Sequence, residues 1–277
     1  MNKQKVISRE YKIMLSPRRF TGDEQQILAK AGVFWNDFRQ AIQPFTKDTI
    51  GELDTIVHRR AIRFYDTSNY QLRLNDYVFR ERRDIQTGER EVTLKFRHPD
   101  RYISQDRNMD ARKIDRGKTK FEEDIKPPFL KLYSFSTKQK LKNDKELKKL
   151  KELVFLFPDL VNKIDYNDQN KDEKITIVGN FTAHEIVISG AKFKIRNSPK
   201  LDSQCALIAW YNNDKSHNIP EVVEFSFNYR NKKENFTRKM SVRALKIFES
   251  LQDELKSWTS LKSKTKTAYI YSLAETG

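Results

Sequence analysis

Residues 77–98 read YVFRERRDIQTGEREVTLKFRH, and their second half alternates strictly between polar and apolar side chains. Thr93, Lys95 and Arg97 alternate there with Val92, Leu94 and Phe96. Such alternation is typical of a strand with one buried face. Between the halves, Thr87-Gly88 favours a tight turn. The stretch therefore predicts a β-hairpin of strands Tyr77–Asp84 and Glu91–His98, with one face charged and the other apolar.

Similar stretches recur along the chain and predict further strands at Val6–Leu15, Val57–Asp66, Thr119–Ile125, Glu185–Arg196, Gln204–Asn212 and Val222–Tyr229, with a closing strand at Tyr269–Leu273. Apolar spacing of helical period predicts helices at Gly22–Gln43 and Ser241–Trp258, and a lysine-rich helix at Thr137–Leu153. Many strands with a few helices indicate an α+β protein. We expect one domain over residues 1–277, with an inserted or connecting lobe at about 136–180.

Cations recur at every second position on several of these strands, as at Lys192, Lys194 and Arg196. An ordinary antiparallel sheet with one solvated face permits such alternation. However, like charges stacked this closely repel each other. A multivalent anion or interleaved carboxylates between the cations would relieve the repulsion. The pattern therefore favours a closed antiparallel β-barrel with a charged interior and with its helices outside.

The overall charge points to an anionic partner. The chain of 277 residues has 54 Lys and Arg against 38 Asp and Glu, a formal net charge of +16. Nucleic acid, a phosphate-rich small molecule and an acidic membrane surface all fit this charge. Cys205 is the only cysteine, which excludes an intrachain disulfide and a CxxC zinc site. No signal peptide and no apolar run of spanning length is evident, so we expect a cytoplasmic protein with no membrane partner.

Seven short motifs follow one another in an order that resembles the CYTH superfamily, also called the triphosphate tunnel metalloenzymes. They are Ser8-Arg9-Glu10-Tyr11-Lys12, Phe64-Tyr65-Asp66-Thr67, Arg80-Glu81-Arg82, Thr93-Leu94-Lys95, Lys120-Phe121-Glu122-Glu123-Asp124, Glu224-Phe225-Ser226 and Ser263-Lys264. The resemblance covers Val6–Ile125 well and Glu185–Tyr271 more loosely. It implies a β-barrel tunnel that binds a triphosphate, and a hydrolase activity that depends on Mg²⁺ or Mn²⁺.

The resemblance also implies roles for particular residues. Arginine offers phosphate a planar fork of donors and lysine a point charge, whereas carboxylates suit a divalent metal. The implied catalytic residues are Glu10, Glu122 and Glu224. The implied metal ligands are Glu10, Glu122, Asp124 and Glu224. The implied substrate-binding residues are Lys12, Arg80, Arg82, Lys95, Arg97, Lys120, Lys192, Lys194 and Lys264.

Two positions depart from the family pattern, because Ser8 and Ser226 stand where it has carboxylates. Serine is a poor ligand for Mg²⁺, so a two-metal site would be weakened, whereas one metal could still bind through Glu10 and Glu224 with Glu122 or Asp124. The first expectation is a phosphohydrolase that acts on inorganic triphosphate or a nucleoside triphosphate. The alternatives are a non-catalytic module that binds a nucleotide, polyphosphate or a triphosphate RNA end, an adenylyl-cyclase-type enzyme, and a general nucleic-acid binder. The sequence does not set the oligomeric state.

Overall fold

The computed structural model describes residues 4–46, 48–113, 117–212, 218–260 and 263–275. Their fold is a mixed α+β arrangement around one large sheet. The described residues form eleven strands: β1 (Ser8–Leu15), β2 (Thr49–Ile50), β3 (Thr55–Thr67), β4 (Tyr77–Asp84), β5 (Arg90–His98), β6 (Lys118–Lys126), β7 (Leu130–Leu141), β8 (Ile175–Ile177), β9 (Ala183–Arg196), β10 (Leu201–Asn212) and β11 (Val222–Arg230).

Nine of the described strands pair in an order that returns to its start. The order is β9-β10-β11-β1-β6-β7-β5-β4-β3, and β3 pairs again with β9. We call these nine strands the strand ring. The two short strands β2 and β8 lie beside it, on β9 and β3. The expected antiparallel arrangement needs one correction, because β1 and β6 run parallel. All other adjacent pairs of the ring are antiparallel.

The predicted β4–β5 hairpin forms around its expected turn. Asp84 accepts hydrogen bonds from the backbone N–H groups of Gln86 and Thr87, at 3.0 and 2.8 Å. Gly88 follows with a φ of +71°, a value that glycine adopts without strain. The hairpin fixes the register of the two strands, so that Arg80 lies opposite Thr93 and Arg82 opposite Glu91. Their polar side chains therefore share one face of the sheet.

The helices of the described residues are α1 (Glu24–Ile42), α2 (Gln71–Leu74), α3 (Arg101–Gln105), α4 (Leu150–Leu156), α5 (Arg238–Asp253) and α6 (Lys266–Glu275). The two longest, α1 and α5, cover the outer face of β9, β10, β11 and β1. Phe225 and Phe227 point outward there and pack against Phe34 and Phe248. Helix α5 corresponds to the helix predicted at Ser241–Trp258, but it begins earlier, at Arg238, and ends earlier, at Asp253. No helix in the described ranges has the length and apolar character needed to cross a membrane.

Residues 142–174 cover the opposite outer face of the ring. Leu150, Leu153 and Phe157 are buried in one cluster with Leu94 and Phe96. The helix predicted at Thr137–Leu153 is wrong over its first part, because residues 130–141 form β7 between β5 and β6. Of the predicted range, only the residues from Leu150 onward are α-helical, as the first part of α4. The connection proposed at about 136–180 thus begins after Leu141, and its end includes β8 of the sheet.

The C-terminal segment also differs from expectation. The sequence predicts a closing strand at Tyr269–Leu273, but these residues belong to helix α6. Ile270 and Tyr271 are buried against Met14, Phe64 and Trp210, which lie at one end of the strand ring. The Tyr271 hydroxyl donates to Asp66 at 2.8 Å. Helix α6 therefore covers the end of the ring at which β1 finishes.

Candidate functional site

The inner face of the strand ring lines a cavity of about 540 Å³. Side chains at every second position of a strand face it, as Lys118, Lys120, Glu122, Asp124 and Lys126 do from β6. The charged lining residues within the described ranges are eleven cations and four carboxylates: Lys12, Arg80, Arg82, Lys95, Arg97, Lys118, Lys120, Lys126, Lys138, Arg230 and Lys266, with Glu10, Glu122, Asp124 and Glu224. Formally, the lining carries an excess of seven positive charges.

Most of the residues implied by the motifs meet in this cavity. All of the implied catalytic and metal residues line it, as do Lys12, Arg80, Arg82, Lys95, Arg97 and Lys120. They come from β11, β1, β6, β5 and β4, which form one continuous run of the ring with β7 between β6 and β5. The prediction that these side chains share one interior therefore agrees with the geometry. Their roles in binding or catalysis stay predictions.

Each carboxylate of the cavity already has a lysine partner. The Lys12 ammonium lies 2.9 Å from Glu10 Oε2 and 3.0 Å from Asp124 Oδ1, so it bridges the two groups. Lys266 Nζ lies 2.8 Å from Glu224 Oε1, and Lys120 Nζ lies 3.3 Å from Glu122 Oε1. Asp124 also has Arg97 at 3.5 Å and Lys95 at 3.9 Å. The carboxylates are thus neutralised while many cations remain without a full counter-charge.

The arginines show the largest unmet demand for an acceptor. The Nε atoms of Arg80, Arg82 and Arg97 are buried, and none makes a hydrogen bond to any part of the chain that the structure describes; Arg97 Nε has only the ion-pair contact with Asp124 at 3.5 Å. Burial, together with the neighbouring Arg82, lowers the pKa of Arg80 to about 9. Because buried donors without acceptors cost free energy, these three guanidinium groups are suited to a ligand rich in acceptor oxygens.

The pKa values of Lys95 and Asp124 both reflect the excess of positive charge in the cavity. Burial, and then the positive charges of Arg97 and Lys12, lower the pKa of Lys95 to about 7. Burial raises the pKa of Asp124, but Lys12, Lys95 and Arg97 together hold it well below its ordinary value. The Asp124 carboxylate therefore stays ionised, and Lys95 is the cation that loses its proton most readily. An anion in the cavity would restore the ammonium form of Lys95.

A carboxylate behind the cavity supports the arginines, and the motifs did not reveal it. Glu185 of β9 is buried, and it accepts from Trp210 Nε1 at 3.0 Å and from Arg60 at 3.4 Å. Burial raises the pKa of Glu185, but Arg82, Lys266 and Arg80 lower it more, to about 2. Glu185 therefore supplies a fixed negative charge to this side of the ring. The one signal for it in the sequence is a carboxylate at the start of the strand predicted at Glu185–Arg196.

Lys266 is the second residue that sequence reasoning missed. It lies at the start of α6, where Thr265 and Thr267 also line the cavity.

Three of the cations implied by the motifs lie outside the cavity. Lys264 is exposed and outside the cavity, two residues before Lys266. Lys192 and Lys194 lie past Ser189, where the β3–β9 pairing that closes the ring ends, although they still pair with β10.

The physical reason for the position of Lys192 and Lys194 is a bulge in β9. The register with β10 shifts between Gln204 and Ala206, next to Gly190 with a φ of +127°. Beyond the bulge β9 pairs with β2, and Lys194 forms an ion pair with Asp48 at 2.6 Å. We therefore leave Lys192, Lys194 and Lys264 out of the proposed site.

The side chains as placed do not fit a divalent metal held by the protein. Mg²⁺ needs several oxygen ligands, usually including carboxylates. Within the described residues, no three His, Cys, Asp or Glu side chains form a group that could hold a metal. Ammonium groups occupy the carboxylate oxygens, and the buried Ser8 and Ser226 carry no charge. Dependence on Mg²⁺ or Mn²⁺ stays a prediction of the resemblance.

No family model matches the chain, and no curated protein matches it. Among solved structures, it is similar to a candidate adenylyl cyclase from Hippeastrum described as having a dominant triphosphatase activity, with 14% identity, a TM-score of 0.44 and 96% of each chain covered. It is also similar to a candidate adenylate cyclase from Bacillus halodurans, with 12% identity, a TM-score of 0.38, and 98% of this chain and 100% of the other covered.

A third similar structure is a candidate adenylate cyclase from Vibrio parahaemolyticus, with 9% identity, a TM-score of 0.36, and 97% of this chain and 99% of the other covered. At these identities and TM-scores the likeness does not establish an activity for this chain.

Proposed function

We propose that the strand ring is a closed tunnel that binds a linear triphosphate, either inorganic or at the end of a nucleotide or RNA, and that the chain hydrolyses it. One observation carries the proposal: three buried arginine Nε atoms without acceptors line a cavity with seven surplus positive charges. A polyphosphate supplies both the acceptor oxygens and the negative charge. The cavity thus defines a phosphate-rich ligand more narrowly than the charge of the whole chain does.

Hydrolysis needs little covalent chemistry from the protein, because phosphoryl transfer depends mainly on positioning and on charge stabilisation. Arg80, Arg82 and Arg97 would hold the phosphate oxygens and stabilise the charge that develops on them. A carboxylate such as Glu224 or Glu10 would orient the attacking water. Binding without hydrolysis is the second candidate function. The lysine partner of each carboxylate favours it, because a paired carboxylate is less available to a water molecule.

The test is a phosphate-release screen with the whole chain, using inorganic triphosphate and ATP in Mg²⁺, in Mn²⁺ and in EDTA. Release of orthophosphate is the expected result. Pyrophosphate release from ATP would indicate adenylyl-cyclase-type chemistry instead. Binding without product would leave only the second candidate. Absence of both binding and product in all three buffers would refute the proposal.

A pair of adjacent arginines provides a matched test of the binding site. Arg82→Ala removes a cavity guanidinium, so triphosphate affinity should fall by about tenfold to a hundredfold, the value of a charge-assisted hydrogen bond. Arg83→Ala is the control, because Arg83 is the next residue of β4 and is exposed on the other face. Isothermal titration calorimetry measures both. Equal losses in the two variants would contradict a site inside the ring.

A further inference from the structure

We infer that the cavity takes its polyphosphate as the uncomplexed anion, with lysine ammonium groups in the places where a divalent metal would otherwise bind. The inference rests on the proposed function for the class of ligand. It goes beyond that function by naming the form of the ligand and by removing the metal from the binding step. It also departs from the metal dependence that the sequence motifs imply.

The Lys12 ammonium is the first reason. It lies between two carboxylates, at 2.9 Å from Glu10 and 3.0 Å from Asp124, and contacts both at once. A metal shared by these carboxylates would have to occupy the same space. The two contacts hold the ammonium group between the carboxylates.

The local charge balance is the second reason. Asp124 has three cations within 4 Å, namely Lys12, Lys95 and Arg97. An incoming Mg²⁺ would meet net positive charge at the carboxylate that should attract it, and like charges at such distances repel each other. A free triphosphate anion would instead be attracted by this positive charge. The group of Glu10, Asp124 and their partners is thus built for an anion.

The serines are the third reason. Ser226 lies opposite Lys12 in the β1–β11 register, and Ser8 lies opposite Glu122 in the β1–β6 register. Both side chains face the ring interior and are buried. Neither adds negative charge where a metal would need it. On the other side of Lys12, Glu224 is neutralised by Lys266 at 2.8 Å.

The experiment measures the binding of inorganic triphosphate to the whole chain by calorimetry, once in EDTA and once in excess Mg²⁺. The expected result is binding in EDTA that is at least as tight as in Mg²⁺, because Mg²⁺ reduces the charge of the free ligand. Binding that requires Mg²⁺ would overturn the inference and leave the proposed function intact. Absence of binding in both buffers would overturn the inference and the proposed function together.

Glu224→Gln gives a change of opposite sign under the two models. If the role of Glu224 is to neutralise Lys266, the variant frees a cation, and triphosphate affinity in EDTA should rise by up to about tenfold, equivalent to ~1.4 kcal/mol. If Glu224 holds a metal, affinity in Mg²⁺ should fall, which would overturn the inference. Glu89→Gln is the matched control, because Glu89 lies in the β4–β5 turn, away from the cavity, and pairs with the exposed Lys140 of β7.

A titration of the wild-type chain with Mn²⁺ alone keeps the test independent of how the variants fold. No saturable Mn²⁺ binding should appear by calorimetry or by electron paramagnetic resonance. A stoichiometric Mn²⁺ site in the ligand-free protein that Glu224→Gln removes would overturn the inference. The titration also separates a metal held by the protein from a metal carried in by the ligand.

Discussion

Replacing Lys95 with methionine should stabilise the ligand-free protein. The pKa of Lys95 lies at about 7 instead of 10.5, because burial and the nearby Arg97 disfavour its charge. At ~1.4 kcal/mol per pH unit, this difference sets an upper limit of ~5 kcal/mol on the cost of folding with Lys95 in place. Methionine keeps the length of the side chain and removes the charge. Asp124 keeps its ion pairs with Lys12 and Arg97.

The gain should depend on pH with a definite sign. A lysine with a lowered pKa in the folded state destabilises fully below that pKa, and the cost fades as the pH rises towards 10.5. We expect Lys95→Met to raise the free energy of unfolding by ~2–4 kcal/mol at pH 7 and by about half as much at pH 9. Urea denaturation measures both values without adding salt. Lys192→Met, at an exposed position of β9, is the control and should change little.

The same variant should bind inorganic triphosphate more weakly than wild type, because it lacks one cavity cation. Stability and affinity would then move in opposite directions, which is expected of a residue retained for its ligand. An equal gain at pH 7 and pH 9, or a loss of stability at both, would refute the reasoning about the charge of Lys95.

Two further predictions concern carboxylate partners. Glu185→Gln should destabilise the protein by ~1–3 kcal/mol at pH 7, because it removes the counter-charge of Arg60 and weakens the contact with Trp210. Urea denaturation measures the difference from wild type, which should shrink as the pH falls from 4.5 towards 2. A difference that stays constant over that pH range would exclude a role for the charge of Glu185. Arg9→Met should lower the free energy of unfolding by ~3–5 kcal/mol at pH 7, because Glu123 would stay buried without the arginine that now lies 2.5 Å away. Triphosphate affinity, measured by calorimetry, should be unchanged. An unfolding free energy equal to that of wild type would contradict this prediction.

The strands of the ring were predictable because alternation is a local signal. In β5 and β11 every second side chain is apolar, so either strand on its own shows which face must be covered. Strand β7 lacks this signal at its end, which reads STKQKL, because Thr137 and Gln139 are polar although they face outward. Without apolar alternation, the lysines of this stretch favour a helix when only the sequence is considered. It becomes a strand because β5 and β6 both offer it hydrogen bonds, and no local pattern shows that.

The site was predictable only where the motif and the strand face coincide. Arg80, Arg82 and Lys95 satisfy both conditions and line the cavity. Lys192 satisfies the face condition alone, and a bulge places it beyond the ring. Lys266 satisfies neither, since it enters the cavity from the first residue of helix α6, before the strand predicted at Tyr269–Leu273. Tertiary placement, which one sequence does not encode locally, decides these cases.

Buried charge is treated in two different ways on the two faces of β1. On the outer face, Arg9 donates to Glu123, Tyr229 and Ser241, so its donors are used within the fold. On the inner face, cations outnumber carboxylates, and three arginine Nε donors lack acceptors among the described residues. Both faces belong to the same strands, so general tolerance of buried charge does not explain the difference. Among the described residues, every buried arginine Nε without a hydrogen bond lines the cavity, where a ligand can reach it, and the free-energy cost becomes recoverable when an anion binds.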